Sequence, residues 1–281
     1  MQDFARVLVT GGTGSLGQAV VRYILDNCNP QAVVVFSRGE EKQVQMEREF
    51  QDERLRFFIG DVRDKDRLAR AFTGVNYVIH TAAIKHVHVA KYNPEECVKT
   101  NIVGSMNVID AALEADVKRV VAVSTDKACN PSNIYGASKL CADKLFLAAN
   151  VYAPKFSVVQ FGNIAGSSGS VIPLWKEQRK TGVITITDPE ATRFWILPWQ
   201  AAKFIVDYID CQLLDYPDWP WNMVACRMAD LANLLAPDCK WNVIGLREGE
   251  KMHEELYYGG LLTSSKDCCV PPKTLKEYLK D

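Results

Sequence analysis

The 281-residue chain lacks charge of a dominant sign: 33 Lys and Arg stand against 34 Asp and Glu, a formal net charge of −1. It therefore has no basic field of the kind that nucleic acid or an anionic membrane surface would favour. Long apolar runs are also missing, and none approaches the roughly 18 residues that a membrane span needs. An apolar strand begins almost at once, at Arg6, leaving no room for a signal peptide. A cytoplasmic protein is expected. The nine cysteines are scattered, with no Cys-x-x-Cys pair, and read as small hydrophobes in a reducing compartment. The four histidines show no metal spacing, so no metal is expected. Internal repeats and low-complexity segments are absent too. What remains is ordinary globular material, 48% hydrophobic and 24% charged, enough for one large domain or a domain with an appended lobe.

Through the first 165 residues, apolar runs alternate with amphipathic ones. Strands are predicted at 6–10, 32–36, 55–59, 77–80, 120–123 and 156–159, and helices at 15–27, 40–50, 64–72, 94–115 and 134–150. Runs so uniformly apolar suit parallel strands covered on both faces. The alternation predicts an α/β fold, a doubly wound parallel sheet with right-handed crossovers. After Asn163 the texture changes. Gly166-Ser-Ser-Gly-Ser170 is a flexible stretch, and Trp175, Trp195, Trp199, Trp219, Trp221 and Trp241 fall in this part. A smaller lobe is expected here, over the strand ends, with the tryptophans mainly in its core. The expected division is 1–165 for the nucleotide and 166–281 for the substrate, interleaved at the boundary. From Cys269 onward a loosely held tail is expected.

Thr10-Gly-Gly-Thr-Gly-Ser-Leu-Gly17 follows the first strand and opens the first helix. Gly11, Gly14 and Gly17 permit a tight turn, close approach to a pyrophosphate and close helix–strand packing. With Thr13, Ser15 and Leu16 they form the expected dinucleotide cradle at a helix N-terminus, where free N–H groups favour anions. An NAD site usually carries an acid after the second strand, but this chain has Ser37 and Arg38, with Lys42 one turn on. A guanidinium suits a 2′-phosphate, so NADP is expected in preference to NAD. The alternative is that Arg38 stacks on adenine. Asp61 and Val62 are expected at the adenine ring, and Asn101 under the helix of the catalytic lysine.

The densest chemistry lies in Ser124-Thr-Asp-Lys-Ala-Cys-Asn-Pro-Ser-Asn-Ile-Tyr-Gly-Ala-Ser-Lys139. Tyr135 and Lys139 stand one helical turn apart and share a face. Tyr-x-x-x-Lys beside Thr125 resembles the short-chain dehydrogenase/reductase arrangement. A free phenol near pKa 10 is a poor base, so Lys139 and a nicotinamide cation are expected to favour the phenolate. Asp126 and Lys127 exceed what oxidation needs. Once a sugar carries a C4 ketone its C5 hydrogen is acidic, and Lys127 as base at C5 with Asp126 as acid at the C6 hydroxyl could eliminate water. Burial is expected to push both into the required protonation states. The alternative is an ion pair that only caps the turn. Cys129 lies inside the segment and is expected to be a neighbour, not a nucleophile.

Gly-Gly-Thr-Gly-Ser-Leu-Gly17, Phe36-Ser-Arg38, Arg56-Phe-Phe-Ile-Gly-Asp-Val-Arg-Asp64, Ile84-Lys-His-Val87, Tyr92-Asn-Pro94, Thr125-Asp-Lys127, Thr192-Arg-Phe-Trp195 and Arg247-Glu-Gly-Glu-Lys-Met-His-Glu254 resemble the inverting UDP-N-acetylglucosamine 4,6-dehydratases, from the N-terminus to about residue 258. Thr-Asp-Lys distinguishes that group from the dTDP-glucose dehydratases, with Thr-Asp-Glu, and from the 4-epimerases. Tyr135 resembles the short soluble branch. The resemblance implies an extended short-chain dehydrogenase/reductase fold and an NADP that is regenerated each cycle. It implies C4 oxidation, loss of water across C5–C6, hydride return to C6 and inversion of C5. Cofactor contacts are implied at Ala82, Ala83 and Lys85. Substrate contacts are implied at Lys85, His86, Asn163, Val171, Thr187, Arg193, Arg247 and Glu250, the two arginines on the UDP diphosphate. Helices 94–115 and 134–150 would pair between subunits of a homo-oligomer. Gln160-Phe-Gly-Asn163 stands where the family usually carries Arg-Tyr-Gly-Asn, and His88 where a proline is usual. A nucleotide-sugar 4-epimerase, a non-inverting dehydratase and an NADP-binding sensor remain the alternatives.

Overall fold

The computed structural model describes residues 5–152, 155–210, 217–218, 220, 223–257, 261–265 and 275. Trp219, Trp221 and the expected tail, apart from Leu275, lie outside them. The first half alternates β1 (Arg6–Thr10), α1 (Ser15–Asn27), β2 (Ala32–Ser37), α2 (Glu40–Phe50), β3 (Leu55–Ile59), α3 (Lys65–Phe72) and β4 (Tyr77–His80). Then come α4 (Val87–Tyr92), α5 (Pro94–Val98), a π-turn at Lys99–Val103, α6 (Gly104–Glu114), β5 (Arg119–Thr125), α7 (Ile134–Ala148) and β6 (Lys155–Phe161). All six strands are parallel, in the order β3-β2-β1-β4-β5-β6. The chain winds outward from β1 in one direction, then restarts at β4 on its other side. That reversal opens a crevice beyond the C-terminal ends of β1 and β4.

Alternate strand residues feed two cores, as period-two side chains must. Val7, Val9, Val33, Val35, Val121 and Val159 face one side, against Val20, Val21 and Ile24 of α1. Leu8, Val34, Val78, Val120 and Val158 face the other, with Leu68, Val108 and Phe146 from α3, α6 and α7. Burying each such side chain is worth about 1.5–3 kcal/mol. β3 departs from the expectation of burial on both faces: as the edge strand it leaves Arg56 and Ile59 exposed.

The predicted helix at 94–115 is one continuous path with a π-turn in its middle. The widened turn lets Asn101 reach inward, accepting from Ile84 N–H at 2.8 Å and donating to Ile84 O and Ser138 Oγ. Such bulges recur beside functional sites. The short α4 was not expected.

Beyond β6 lie β7 (Asn163–Ile164), α8 (Val171–Gln178), β8 (Val183–Ile186), β9 (Thr192–Ile196), α9 (Pro198–Asp207), β10 (Val224–Arg227), α10 (Met228–Leu235), β11 (Lys240–Val243), β12 (Glu255–Tyr257) and β13 (Leu261–Thr263). Trp175 and Trp195 are fully buried with Leu231 in a separate core. Trp199, by contrast, is exposed. α9 leaves this part and returns to the sheet, where Ala201, Ala202, Ile205 and Val206 pack against α1. No helix among the described residues is long and apolar enough to cross a membrane.

Candidate active site

A cleft of about 840 Å³ lies along the C-terminal ends of the strands. The turn after β1 forms one wall. Gly11 has φ +66°, and a Cβ there would come within 2.9 Å of Ala82 Cα; a Cβ on Gly17 would meet the Gly11 carbonyl. Gly14 caps α1 without any side-chain hydrogen bond, which leaves the helix N-terminus open towards the cleft. Thr13, Ser15 and Leu16 complete this wall. Thr13 Oγ1 donates to Ser37 Oγ at 3.1 Å. The cradle fits a dinucleotide pyrophosphate. At the cleft mouth lie Ser37, Lys42, Asp61, Val62 and Arg38, whose guanidinium is 60% exposed and 3.7 Å from Asp61. Arg63 also pairs with Asp61, at 2.6 Å, and holds that carboxyl below its ordinary range despite burial.

Ala82, Ala83, Lys85 and His86 line the floor after β4, and Asn163 faces them from β7. Lys85 Nζ donates to Ser168 O at 2.9 Å, and Ser168 N–H donates to Ser15 Oγ at 3.0 Å. The serine- and glycine-rich stretch thus bridges to the glycine turn. Gly169 has φ +71°, and a Cβ there would come within 2.5 Å of the His86 ring.

Thr125 ends β5, and Asp126–Ala128 form a single 3₁₀ turn beyond it. Thr125, Lys127, Tyr135 and Lys139 all line the cleft. Asn133 caps α7 by accepting from Gly136 N–H at 2.9 Å, which starts the helix in register for Tyr135 and Lys139. Lys139 Nζ donates to Val123 O at 2.7 Å. Asn101 does not line the cleft; it braces Ser138, next to Lys139.

Electrostatics bear on two expectations and overturn the one for Lys127. Burial pushes the Tyr135 phenol up to about 12, against hydrogen bonding from Thr125 and the charge of Lys127. The protein alone does not bring this phenol into the working range. Lys127 is held above its ordinary value, not below it, because Asp126 and Glu254 outweigh desolvation. Its Nζ is 3.0 Å from Asp126 Oδ1 and 3.3 Å from Glu254 Oε1. Asp126 is fully buried, and desolvation raises its carboxyl as expected. Lys139 is lowered by burial, which Asp143 opposes.

Several expected substrate contacts do not reach the cleft. The Arg193 guanidinium is buried, donating to Thr192 O and Met252 O and lying 3.9 Å from Glu254. Its hydrogen bonds run to the backbone beneath the Asp126–Ala128 turn, outside the large cleft. With Glu250 it lines a second, small cavity of about 70 Å³. Val171 packs on the core of the second half, while Thr187 and Arg247 line neither cavity, Arg247 lying exposed. Glu254, Asp143 and Ser168 were missed. Glu254 did end a motif singled out in the sequence, but nothing local pointed it at Lys127.

Residues 7–268 match the family described as polysaccharide biosynthesis protein. The chain belongs to that family. A UDP-N-acetylglucosamine 4,6-dehydratase (inverting) of Campylobacter jejuni is 46% identical over 254 residues, covering 88% of this chain and 76% of the relative. A UDP-glucose 4-epimerase of Rickettsia canadensis is 34% identical, covering 93% and 80%. Among solved structures, Pen from Bacillus thuringiensis superposes with a TM-score of 0.86 at 38% identity, covering 91% of this chain and 84% of that one. In this member of the polysaccharide biosynthesis family, Asp126 and Lys127 sit in hydrogen-bond contact beside Tyr135.

Proposed function

We propose that this protein is an NADP-dependent UDP-N-acetylglucosamine 4,6-dehydratase that inverts C5. The observation that carries the reading is the Asp126–Lys127 pair, joined at 3.0 Å on the turn that also places Thr125 against Tyr135. An epimerase has no need of an added acid–base pair, and a binding module has no need of the phenol. The name of the Campylobacter relative supports the same choice.

In this reading Tyr135 takes the C4 hydroxyl proton, with Thr125 hydrogen-bonded to the reacting oxygen. A dinucleotide held by the Gly11–Gly17 cradle would supply the hydride chemistry, oxidation at C4 and reduction at C6. The positive charge of its nicotinamide would offset the burial that raises Tyr135. Lys139, anchored on Val123 O, places its amine in the same wall. Lys127 removes the C5 proton and Asp126 gives one to the departing C6 hydroxyl. In the resting pair the proton sits on Lys127, so one hop along their hydrogen bond sets both groups. Asp126 opens to neither cavity, and seating the sugar must bring its carboxyl to the wall.

Arg38 and Lys42 at the mouth support NADP over NAD. Lys85, His86 and Asn163 are the proposed sugar-side contacts, and Arg247, exposed on its loop, is the proposed contact for the diphosphate. Residues 1–165 would hold the dinucleotide and 166–281 the sugar nucleotide, with α9 serving the sheet. The apolar stripe of Val98, Val103 and Met106 on the 94–114 path is exposed and supports a homo-oligomer.

The test is incubation with UDP-N-acetylglucosamine in heavy water, followed by NMR and mass spectrometry. Loss of one water, a new C6 methyl, deuterium at C5 and inverted C5 coupling are expected. A C4 epimer without dehydration would refute the reading in favour of an epimerase. Cofactor binding without turnover would favour a sensor.

A further inference from the structure

Among the described residues, Lys127 is the one that lines both the large cleft and the small cavity. Glu254 lines only the small one, so it meets Lys127 from the side away from the cleft. Its residue is 3% exposed, yet it carries a carboxylate. Oε1 lies 3.3 Å from Lys127 Nζ and 3.9 Å from Arg193 Nε, and Oε2 has no partner among the described residues. Its backbone is pinned by reciprocal bonds with Ser264, at 2.9 Å each.

The approach of these groups is enforced by a row of staples. Ser132 Oγ and Asn133 Nδ2 both donate to Gly249 O, at 2.7 and 2.9 Å. Lys251 Nζ donates to Cys129 O, and Asn130 Nδ2 to Glu255 Oε2, each at 2.7 Å. The turn bearing Lys127 is thus locked to residues 249–255, more than a hundred positions away. Burying a second carboxylate there costs solvation that the Asp126–Lys127 pair alone would not require.

We propose that Glu254 is a positioning residue, holding Lys127 as an ammonium in the cleft wall and tying the release of its proton to the docked 249–255 segment. This rests on the reading of Lys127 as the C5 base. The charged and titratable groups facing Lys127 are Asp126 on its own turn, Tyr135 on α7, Arg193 on β9, and Glu250, Lys251 and Glu254 beyond β11. Asp126 and Glu254 favour the ammonium, and Arg193 opposes it. In the base step the C5–H bond breaks, its proton joins the neutral Lys127 amine, and the electron pair passes into the C4 ketone. Glu254 neither gains nor loses a proton; it fixes how readily the amine is freed.

The test is the pH dependence of C5 deuteration and kcat with UDP-N-acetylglucosamine, for the wild type, Glu254→Gln, Glu254→Asp and Arg193→Gln. In Glu254→Gln the acid limb moves to lower pH by roughly one to two units, the effect of removing one neighbouring opposite charge. Glu254→Asp, which keeps the charge, moves it less. Arg193→Gln moves it the other way, and supplies the test should Glu254→Gln fail to fold. A limb unmoved in the folded variants would overturn the proposal. Lys127→Met separates the two ideas: if it still deuterates C5, the base reading itself fails.

Discussion

Asp143 offers the sharpest check on how burial and charge combine in this site. It lies one turn beyond Lys139 on α7 and is 2% exposed. Its Oδ2 accepts from Ser124 Oγ at 2.7 Å and from Gln160 Nε2 at 3.2 Å. Burial still pushes the carboxyl up to about 6, against Lys139 and both hydrogen bonds. In an unfolded chain an aspartate titrates near 3.9. Between those values the native state holds a proton that the unfolded state has released. The group therefore favours folding fully below about pH 4, and that advantage is gone by about pH 6. Two units at 1.36 kcal/mol each make a difference of about 3 kcal/mol. Asp143→Asn removes the charge and keeps an acceptor for Ser124. Its amide oxygen, in the place of Oδ2, can accept from Ser124 Oγ and Gln160 Nε2 as the carboxylate does. Urea unfolding of both proteins from pH 4 to 8 is the assay. Relative to wild type, the Asn variant is expected to gain about 3 kcal/mol between pH 4 and 7, or roughly 5 °C in Tm for a chain of this size. A stability difference that stays constant over that range would refute the reasoning.

Three other outcomes are expected. Gly17→Ala places a Cβ against the Gly11 carbonyl and 2.7 Å from Gly12 Cα; it should weaken NADP binding at least about tenfold and cost about 1–3 kcal/mol of stability, read by calorimetric titration and unfolding. Arg38→Ala should lose about 1.5–3 kcal/mol of NADP affinity and leave NAD nearly unchanged. Equal losses for both would mean that Arg38 stacks on adenine. Met106→Glu puts a charge in the exposed stripe beside Val98 and Val103 and should shift light scattering towards the monomer mass; an unchanged assembly would place the interface elsewhere.

Strand and helix positions were legible because they rest on local periodicity. The six predicted strands and the helices at 15–27 and 40–50 match the observed bounds closely. The π-turn at Lys99–Val103 was not legible, since it answers to Ile84 and Ser138, partners outside its own stretch. The return of α9 was hidden for a similar reason: its alanines and isoleucine look the same whether they face one core or another.

The sequence by itself determined the cradle and the grouping of Thr125, Asp126, Lys127, Tyr135 and Lys139, because a glycine turn after a strand, Thr-Asp-Lys at the end of β5 and Tyr-x-x-x-Lys on one helix face are short-range constraints. Tertiary structure alone decided their charge state and their surroundings. Arg193 reads as a phosphate ligand in its motif, yet folding turns it under the Asp126–Ala128 turn to lie beside Glu254. Lys127 reads as a base eased by burial, yet two carboxylates, one from the next residue and one from far along the chain, hold it as an ammonium. A spacing of one or four residues is set by the backbone. A sum of charges over a few ångströms is set only when distant segments pack together.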